Sequence, residues 1–337
     1  MRKYFFAAIA ACILSLVVNC NYAQGQELYS LDKKISLPGD DSYDYLFIDR
    51  PARRLYVSHG TTVHVIDLNN ETLIGTIEKT QGNHGIAIVP AVGKGFISDG
   101  KANAVLVFDI NTLKTITTIP LSGKKPDAII YDPFSNHVLA FNGDSNNASV
   151  IDVNSLKERT TIALGGAPEF AVSDGNGKLY NNLEDKNTIK VIDSKAMKVV
   201  DTYSLSPCGG PTGLALDSVN KKLFTVCRQN KGMSVVDINS GKVVATIPIG
   251  AGVDAVAYDA ATKLIFCSNG DGTVTIIKQE SPEQYSVVQT LSTQVRAKTM
   301  ALDIVTHKIY LSVADIVAGS KDRVPGSFKV LVYKMNH

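Results

Sequence analysis

The chain has 337 residues, of which 34 are Lys or Arg and 32 are Asp or Glu, so its formal net charge at pH 7 is +2. This balance excludes the strongly basic surface of a typical nucleic-acid-binding domain and the polybasic segment of a peripheral membrane anchor. A chain of this length can bury a large core, so it requires neither a metal ion nor a disulfide in order to fold.

The N-terminal segment, residues 1–23, is predicted to be a secretory signal peptide. Arg2 and Lys3 precede an apolar run that ends at Val18, and this run is shorter than a membrane-spanning helix. Two alternatives stay open, namely lipoprotein processing at Cys20 and a retained membrane anchor. No later segment is apolar enough to span a bilayer. The mature protein is therefore expected to be exported, either periplasmic or secreted, or tethered through its N-terminus.

The remainder of the chain repeats at intervals of about 42 residues, and each repeat predicts four short β-strands. β-Branched residues alternate with polar ones, and turn-forming residues separate the runs, as is typical of antiparallel strands. The first strand of most repeats ends at an Asp. The residues at this position are Asp49, Val89, Asp132, Asp174, Asp217, Asp259 and Asp303.

Seven repeats of four strands predict an all-β fold, a seven-bladed β-propeller that occupies residues 28–337 as one domain. The last repeat ends after its third strand, so the segment near Ser30 to Leu37 is expected to supply the missing outer strand. Such a borrowed strand joins the two ends of the chain and removes an open sheet edge. The protein is expected to be a monomer.

The repeat signatures resemble those of one family of propellers. Leu55-Tyr-Val-Ser58, Val65-Ile-Asp67 and Ile247-Pro-Ile-Gly250 are similar to the signatures of the YncE-like, YVTN-repeat propellers, and the likeness covers essentially the whole mature chain. The resemblance implies the fold more than an activity, because its relatives include exported proteins of unassigned role, a DNA-binding protein and propeller domains of nitrous-oxide and nitrite reductases. The chain departs from the pattern in blades six and seven, whose third strands, Ile276-Ile-Lys278 and Val330-Leu-Val-Tyr333, lack the Asp.

One position in each repeat is expected to lie at the mouth of the central channel. It is found five residues before the end of the first strand, which is the innermost strand of a propeller blade. The seven residues at this position are Asp44, His84, Asp127, Glu169, Thr212, Asp254 and Lys298.

This ring of polar residues predicts a binding site for a ligand and a tentative site for a divalent cation. Carboxylate oxygens and imidazole nitrogens are common ligands of divalent metals. The predicted metal ligands are His84, Asp127, Glu169 and Asp254. The alternative is a solvated rim whose polar residues only complete tight loops.

The last blade carries an insertion, residues 314–327, between its second and third strands. This loop is expected to overhang the channel mouth, where Lys321 and Arg323 would contact an anionic ligand. Long loops are often binding elements, although they also accumulate tolerated length. His59 and Arg228 occupy the corresponding loops of other blades and are expected to be solvated.

Three cysteines follow the signal region. Cys208 and Cys227 flank one predicted hairpin and are the more plausible disulfide, which export would permit. Buried, unpaired thiols are an equal alternative for these residues and for Cys267.

Three functions are compatible with these features. The favoured one is an exported, non-enzymatic binding or scaffold propeller of the cell envelope that holds a protein or small ligand at the channel mouth. The second is a metal-dependent, lactonase-like hydrolase that uses the acidic rim, and the third is a DNA-binding propeller. The sequence has no Cys-x-x-Cys-His, Gly-x-Ser-x-Gly or Walker motif, so no catalytic residue is assigned and no cofactor other than the cation is expected.

Overall fold

Each sequence repeat forms one four-stranded antiparallel sheet in the computed structural model, which describes residues 27–336. Seven such sheets form the blades of a ring, so the predicted all-β, seven-bladed propeller is confirmed. The only helix among the described residues is the 3-10 turn Pro90–Val92. The predicted signal peptide, including Cys20, lies outside the described residues.

The strands follow the same order in every blade, from the channel outwards. The inner strands are β2 (Tyr43–Asp49), β6 (Asn83–Val89), β10 (Pro126–Asp132), β14 (Pro168–Ser173), β18 (Pro211–Asp217), β22 (Val253–Asp259) and β26 (Met300–Asp303). The second strands are β3 (Arg54–His59), β7 (Lys94–Asp99), β11 (His137–Asn142), β15 (Lys178–Leu183), β19 (Lys222–Cys227), β23 (Leu264–Asn269) and β27 (Lys308–Val313).

The third strands are β4 (Thr62–Asp67), β8 (Ala104–Asp109), β12 (Asn147–Asp152), β16 (Thr188–Asp193), β20 (Gly232–Asp237), β24 (Thr273–Ser281) and β28 (Lys329–Met335). The outer strands are β5 (Thr72–Ile77), β9 (Thr115–Pro120), β13 (Lys157–Ala163), β17 (Lys198–Ser204), β21 (Lys242–Pro248), β25 (Gln284–Ser292) and β1 (Tyr29–Ser36).

The Asp that ends most inner strands is a buried turn cap. The carboxylate of Asp132 accepts a hydrogen bond from the backbone N–H of Ser135, and that of Asp303 accepts one from Val305. Both carboxylates are fully buried, and burial of an unpaired carboxylate would be costly. The repeated Asp is therefore explained by the turn that it closes. Blade 4 departs from this pattern, because its inner strand ends at Ser173 and Asp174 lies in the turn.

The borrowed outer strand of blade 7 is confirmed. β1 pairs with β28 in antiparallel register from Tyr29 opposite Met335 to Ser36 opposite Lys329. Tyr29 is completely buried, its hydroxyl donates to the His307 carbonyl at 2.8 Å, and its ring packs edge-on against Phe266 of blade 6. The N-terminal strand thus joins blades 6 and 7 and closes the ring.

The hydrophobic core lies between neighbouring blades. Each apolar cluster combines side chains of two adjacent sheets, as where Tyr56 of blade 1 packs against Phe108 of blade 2. Tyr56, Tyr180 and Tyr310 are all buried in such contacts. In the described part of the chain, no helix combines the length and the hydropathy that crossing a membrane requires.

The disulfide between Cys208 and Cys227 is present, so the pairing favoured by the hairpin is confirmed. It ties the loop that enters blade 5 to the end of the second strand of that blade. Cys267 is a buried free thiol, and burial raises the pKa of this thiol well above its usual range. It is therefore an inert packing residue.

Replacing both Cys208 and Cys227 by Ser should destabilise the protein. The two residues are separated by 19 positions, and closing a loop of that size is worth about 3 kcal/mol through the entropy of the unfolded chain. Urea unfolding of the oxidised protein and of the double variant measures the difference. A reductant should lower the midpoint of the wild type and leave that of the double variant unchanged, and equal midpoints without reductant would contradict the prediction.

Candidate functional site

The predicted ring residues meet at the channel mouth. Six of the seven line one polar cavity of about 120 Å³, hereafter the mouth cavity. The seventh, His84, contacts two of the others. The lining ring residues are Asp44, Asp127, Glu169, Thr212, Asp254 and Lys298.

Three ring residues of blades 1 to 3 form a tight group, the acidic cluster of Asp44, His84 and Asp127. Nδ1 of His84 lies 2.6 Å from Oδ2 of Asp44 and 3.6 Å from Oδ1 of Asp127. One ligand atom from each residue lies within 4.8 Å of the others, a spacing that could hold a metal ion. Oδ1 of Asp127 is buried and has no hydrogen-bond partner.

Gly100 leaves the space in which the imidazole of His84 lies. A Cβ atom at Gly100 would approach Nε2 of His84 to 2.8 Å. This glycine directly follows the second strand of blade 2, whereas His84 belongs to the inner strand of the same blade. Gly100 thus admits the ring in an orientation in which its other nitrogen, Nδ1, faces the two carboxylates.

The electrostatics of the cluster reflect its enclosure. Burial, followed by the charge of Asp44, raises the pKa of Asp127 to about 6. Burial alone would lower the pKa of His84, but the hydrogen bond to Asp44 and the charge of Asp127 outweigh it and raise the pKa above its usual value. The protonated form of His84, which this shift favours, compensates part of the negative charge that the two carboxylates bring together.

Glu169 lies next to this cluster but in a different electrostatic state. Burial and the charges of Asp127 and Glu184 raise the pKa of Glu169 to about 9, and a hydrogen bond with Glu184 acts in the same direction. Glu169 therefore retains its proton at neutral pH, and a protonated carboxyl is a poor metal ligand. Of the four residues expected to bind metal, only His84 and Asp127 belong to the acidic cluster, and Asp44 joins them.

Asp254, the remaining expected metal ligand, is engaged by cations. Nζ of Lys298 lies 2.5 Å from its Oδ2, and the guanidinium of Arg228 pairs with its Oδ1. Arg228 also contacts Oε1 of Glu184 at 3.0 Å. The side chain of Asp254 is only 12% exposed, so this compensated carboxylate is not available to a metal ion.

The expectation that Arg228 is a solvated loop residue holds in part, because its side chain is 38% exposed, but it also lines the mouth cavity and forms two ion pairs. The same expectation fails for His59, which is 1% exposed and stacks on Phe328 with 3.8 Å between ring centroids. His59 is the last residue of the second strand of blade 1, where Phe328 covers its ring and excludes water, whereas Arg228 follows the second strand of blade 5 and stays partly exposed.

Two aromatic side chains form the floor of the mouth cavity. Tyr45 and Phe170 follow ring residues directly in sequence, and their ring centroids are 5.7 Å apart. They line the mouth cavity on one side and, on the other, an apolar cavity of about 690 Å³ in the rest of the channel. Gly85 and Gly213 occupy the same register, and a Cβ at either would approach the neighbouring blade to 3.0 Å or less. Two large rings among small residues thus divide the channel.

The insertion of blade 7 folds over the mouth face as a short hairpin. Ile316 pairs with Arg323 across it, and the backbone N–H of Val317 donates to the Asp322 carbonyl. The guanidinium of Arg296, in the loop that enters blade 7, donates to the Lys321 carbonyl at 2.8 Å. Both Lys321 and Arg323 are exposed, and they lie outside the mouth cavity.

Sequence reasoning missed Glu184 and Arg228, although a signal for them exists. Each residue directly follows a second strand, β15 or β19. At this register the other five blades have only small residues, which leave space for the ring side chains. These residues are Gly60, Gly100, Gly143, Gly270 and Ala314. Aligning the ends of the second strands, as was done for the first strands, identifies the two charged exceptions.

No protein-family model matches the chain, and no curated protein matches it. The geometry and electrostatics of the channel mouth therefore carry the functional interpretation.

Replacing Glu184 by Gln should lower the pKa of Glu169. The charge of Glu184 and its hydrogen bond both raise that pKa, so their removal favours ionisation, whereas burial still keeps the pKa above its usual value. Carbon-13 NMR titration of the glutamate carboxyls measures the change. The matched control is Glu158→Gln, because Glu158 contacts Ser122 instead. An unchanged titration of Glu169 in the Glu184 variant would contradict the coupling.

Proposed function

We propose that this protein is a non-enzymatic binding propeller that holds a divalent cation in its acidic cluster, between Asp44, His84 and Asp127. The observation that carries the proposal is the buried, unpartnered Oδ1 of Asp127, which lies beside a second carboxylate and an imidazole nitrogen. A buried carboxylate oxygen without a hydrogen bond is unfavourable. A cation that replaces the proton of His84 would satisfy all three side chains at once.

The donor set favours a borderline transition-metal ion such as Mn²⁺ or Zn²⁺. Imidazole nitrogen suits zinc, and carboxylate oxygen suits manganese, magnesium and calcium. Two oxygens and one nitrogen, with water completing the shell, fit an ion that accepts both kinds of ligand. Thr212 and Tyr45, which also line the mouth cavity, would face that water.

The size of the mouth cavity favours binding of an ion over hydrolysis of an organic substrate. Pockets for small organic ligands usually measure about 300–1,000 Å³, whereas the mouth cavity measures about 120 Å³ and ends at Tyr45 and Phe170. A lactone would have to react outside the cavity. The acidic cluster itself lacks the positive charge that binds the phosphates of DNA, so cation binding is preferred to the other two functions at this cluster.

We also propose that the protein is exported and is a YncE-like propeller. The disulfide between Cys208 and Cys227 supports export, because stable disulfides are typical of oxidising compartments. The N-terminal sequence pattern and the repeat signatures support the same assignment. A protein partner on the rigid mouth face fits this role.

Replacing Asp127 by Asn should weaken cation binding by about tenfold or more. The substitution removes the charge of one of three ligands while it preserves the shape of the side chain. Isothermal titration of the untagged protein with Mn²⁺, Zn²⁺ and Mg²⁺ measures the affinity. The matched control is Asp144→Asn, since Asp144 is exposed in a loop of blade 3 and should leave binding unchanged. Absence of saturable binding, or equal binding by both variants, would contradict the proposal.

The affinity for Mn²⁺ should rise by more than about tenfold between pH 5 and pH 7. Asp127 has a pKa of about 6, so it is mostly protonated at the lower pH and mostly ionised at the higher one. His84, whose pKa is raised, must also lose its proton, which steepens the dependence. Titration in buffers of different ionisation enthalpy should show proton release. An affinity that is independent of pH would exclude these two residues as ligands.

A further inference from the structure

We infer that a second site at the channel mouth, on the side of blades 5 to 7, binds a small phosphorylated molecule. The site is a cavity of about 660 Å³, hereafter the cationic pocket, and it lies beside the mouth cavity. Arg228 and Lys298 line both cavities. The residues that line the cationic pocket are Tyr43, Arg228, Ala251, Gly252, Gly270, Asp271, Arg296, Lys298 and Arg323.

The charge of the pocket is strongly positive. Four cationic side chains and one carboxylate, that of Asp271, line it. Asp254 compensates Arg228 and Lys298 from the mouth-cavity side. Among residues 27–336, Arg296 and Arg323 have no carboxylate oxygen within 4.0 Å of their guanidinium nitrogens. Two guanidinium groups that face one cavity without anionic partners are suited to an anionic ligand.

Tyr43 shows that these cations converge on one place. Its pKa is raised by burial, while the charges of Arg323, Arg296 and Lys298 all act to lower it. The three cations belong to two different segments, the insertion and the entry to blade 7, so the fold brings them together. The ring of Tyr43 stacks on Phe328 with 5.4 Å between ring centroids, which holds it at the edge of the pocket.

The backbone of Arg296 is in a strained conformation. Arg296 has φ of 74°, in the left-handed region, and the same register in blades 5 and 6 has Gly210 and Gly252 with φ of 62° and 68°. A non-glycine residue in this conformation is strained. Blade 3 also has a cation at this register, Lys125.

The geometry favours a phosphate group over a carboxylate. A carboxylate can satisfy one guanidinium through two parallel hydrogen bonds, whereas a phosphate monoester has three terminal oxygens and up to two negative charges. Two guanidinium groups without carboxylate partners among residues 27–336, with Lys298 nearby, match a phosphate monoester. The volume of about 660 Å³ is within the range of pockets that hold an organic molecule. Tyr43 would contact the organic part.

The inference goes beyond the proposed cation site and does not depend on it. The anion is recognised by Arg296 and Arg323, neither of which belongs to the acidic cluster. Asp127→Asn should therefore leave phosphate binding unchanged even if it abolishes cation binding, and the two proposals can fail separately.

The test is titration of the full mature protein at low salt with phenyl phosphate, benzoate and inorganic phosphate. Phenyl phosphate should bind at least about tenfold more tightly than benzoate, which has the same ring and a single charge. It should also bind more tightly than inorganic phosphate, and its affinity should fall as salt is added. Equal binding of benzoate and phenyl phosphate, or no binding of either, would overturn the inference.

The variants are Arg323→Gln and Arg296→Gln, with Lys321→Gln as the matched control. Lys321 is on the same hairpin as Arg323, but its side chain does not line the pocket. The two Arg variants should each lose about tenfold or more in affinity for phenyl phosphate, with thermal unfolding midpoints close to that of the wild type, and the Lys variant should bind normally. An equal loss in the Lys321 variant would indicate general charge attraction and overturn the site. Tighter binding of a single-stranded thymidine oligonucleotide than of phenyl phosphate would overturn the small-molecule assignment.

Discussion

The site depends on one constraint, the closure of seven inner strands around a narrow channel. Closure brings equivalent residues of all blades to the same ring, so charges that are about 42 residues apart in sequence become neighbours. The pairing of β1 with β28 completes this ring, and the buried Tyr29 joins blades 6 and 7. Any charge at the ring register is therefore concentrated in a cavity of about 120 Å³.

The crowded carboxylates at the channel mouth are compensated in two different ways. On the side of blades 5 to 7, Arg228 and Lys298 neutralise Asp254 directly, and unpaired guanidinium groups continue the positive surface outwards. On the side of blades 1 to 4, the carboxylates outnumber the cations, and protons compensate them, as the raised pKa values of Asp127 and Glu169 indicate. Protons held by crowded carboxylates are the natural competitors of a cation. This asymmetry supports a face that binds ligands of both charges.

The repeat predicted the fold because period and strand pattern are local properties of the sequence. The repeat also located the ring residues, since equivalent positions in seven equivalent blades are placed in the same way relative to the channel axis. The repeat did not predict which ring residues contact one another, because these contacts depend on side-chain rotamers and on side chains at other positions of the repeat. Glu184 and Arg228 follow second strands. Glu184 adds to the effects of burial and of Asp127 in raising the pKa of Glu169, and Arg228 pairs with Asp254. Nor did the repeat predict that Tyr45 and Phe170 divide the channel, because this division also requires small residues at the same register of other blades.

The central claim is that the acidic cluster is a cation site, and anomalous diffraction from crystals soaked in Zn²⁺ tests it most directly. The account predicts one strong peak at the channel mouth, about 2.0–2.2 Å from Nδ1 of His84 and from carboxylate oxygens of Asp44 and Asp127. It also predicts that the hydrogen bond between His84 and Asp44 is replaced by bonds to the ion. Absence of an anomalous peak at the channel mouth, with the hydrogen bond between His84 and Asp44 intact, would contradict the cation site.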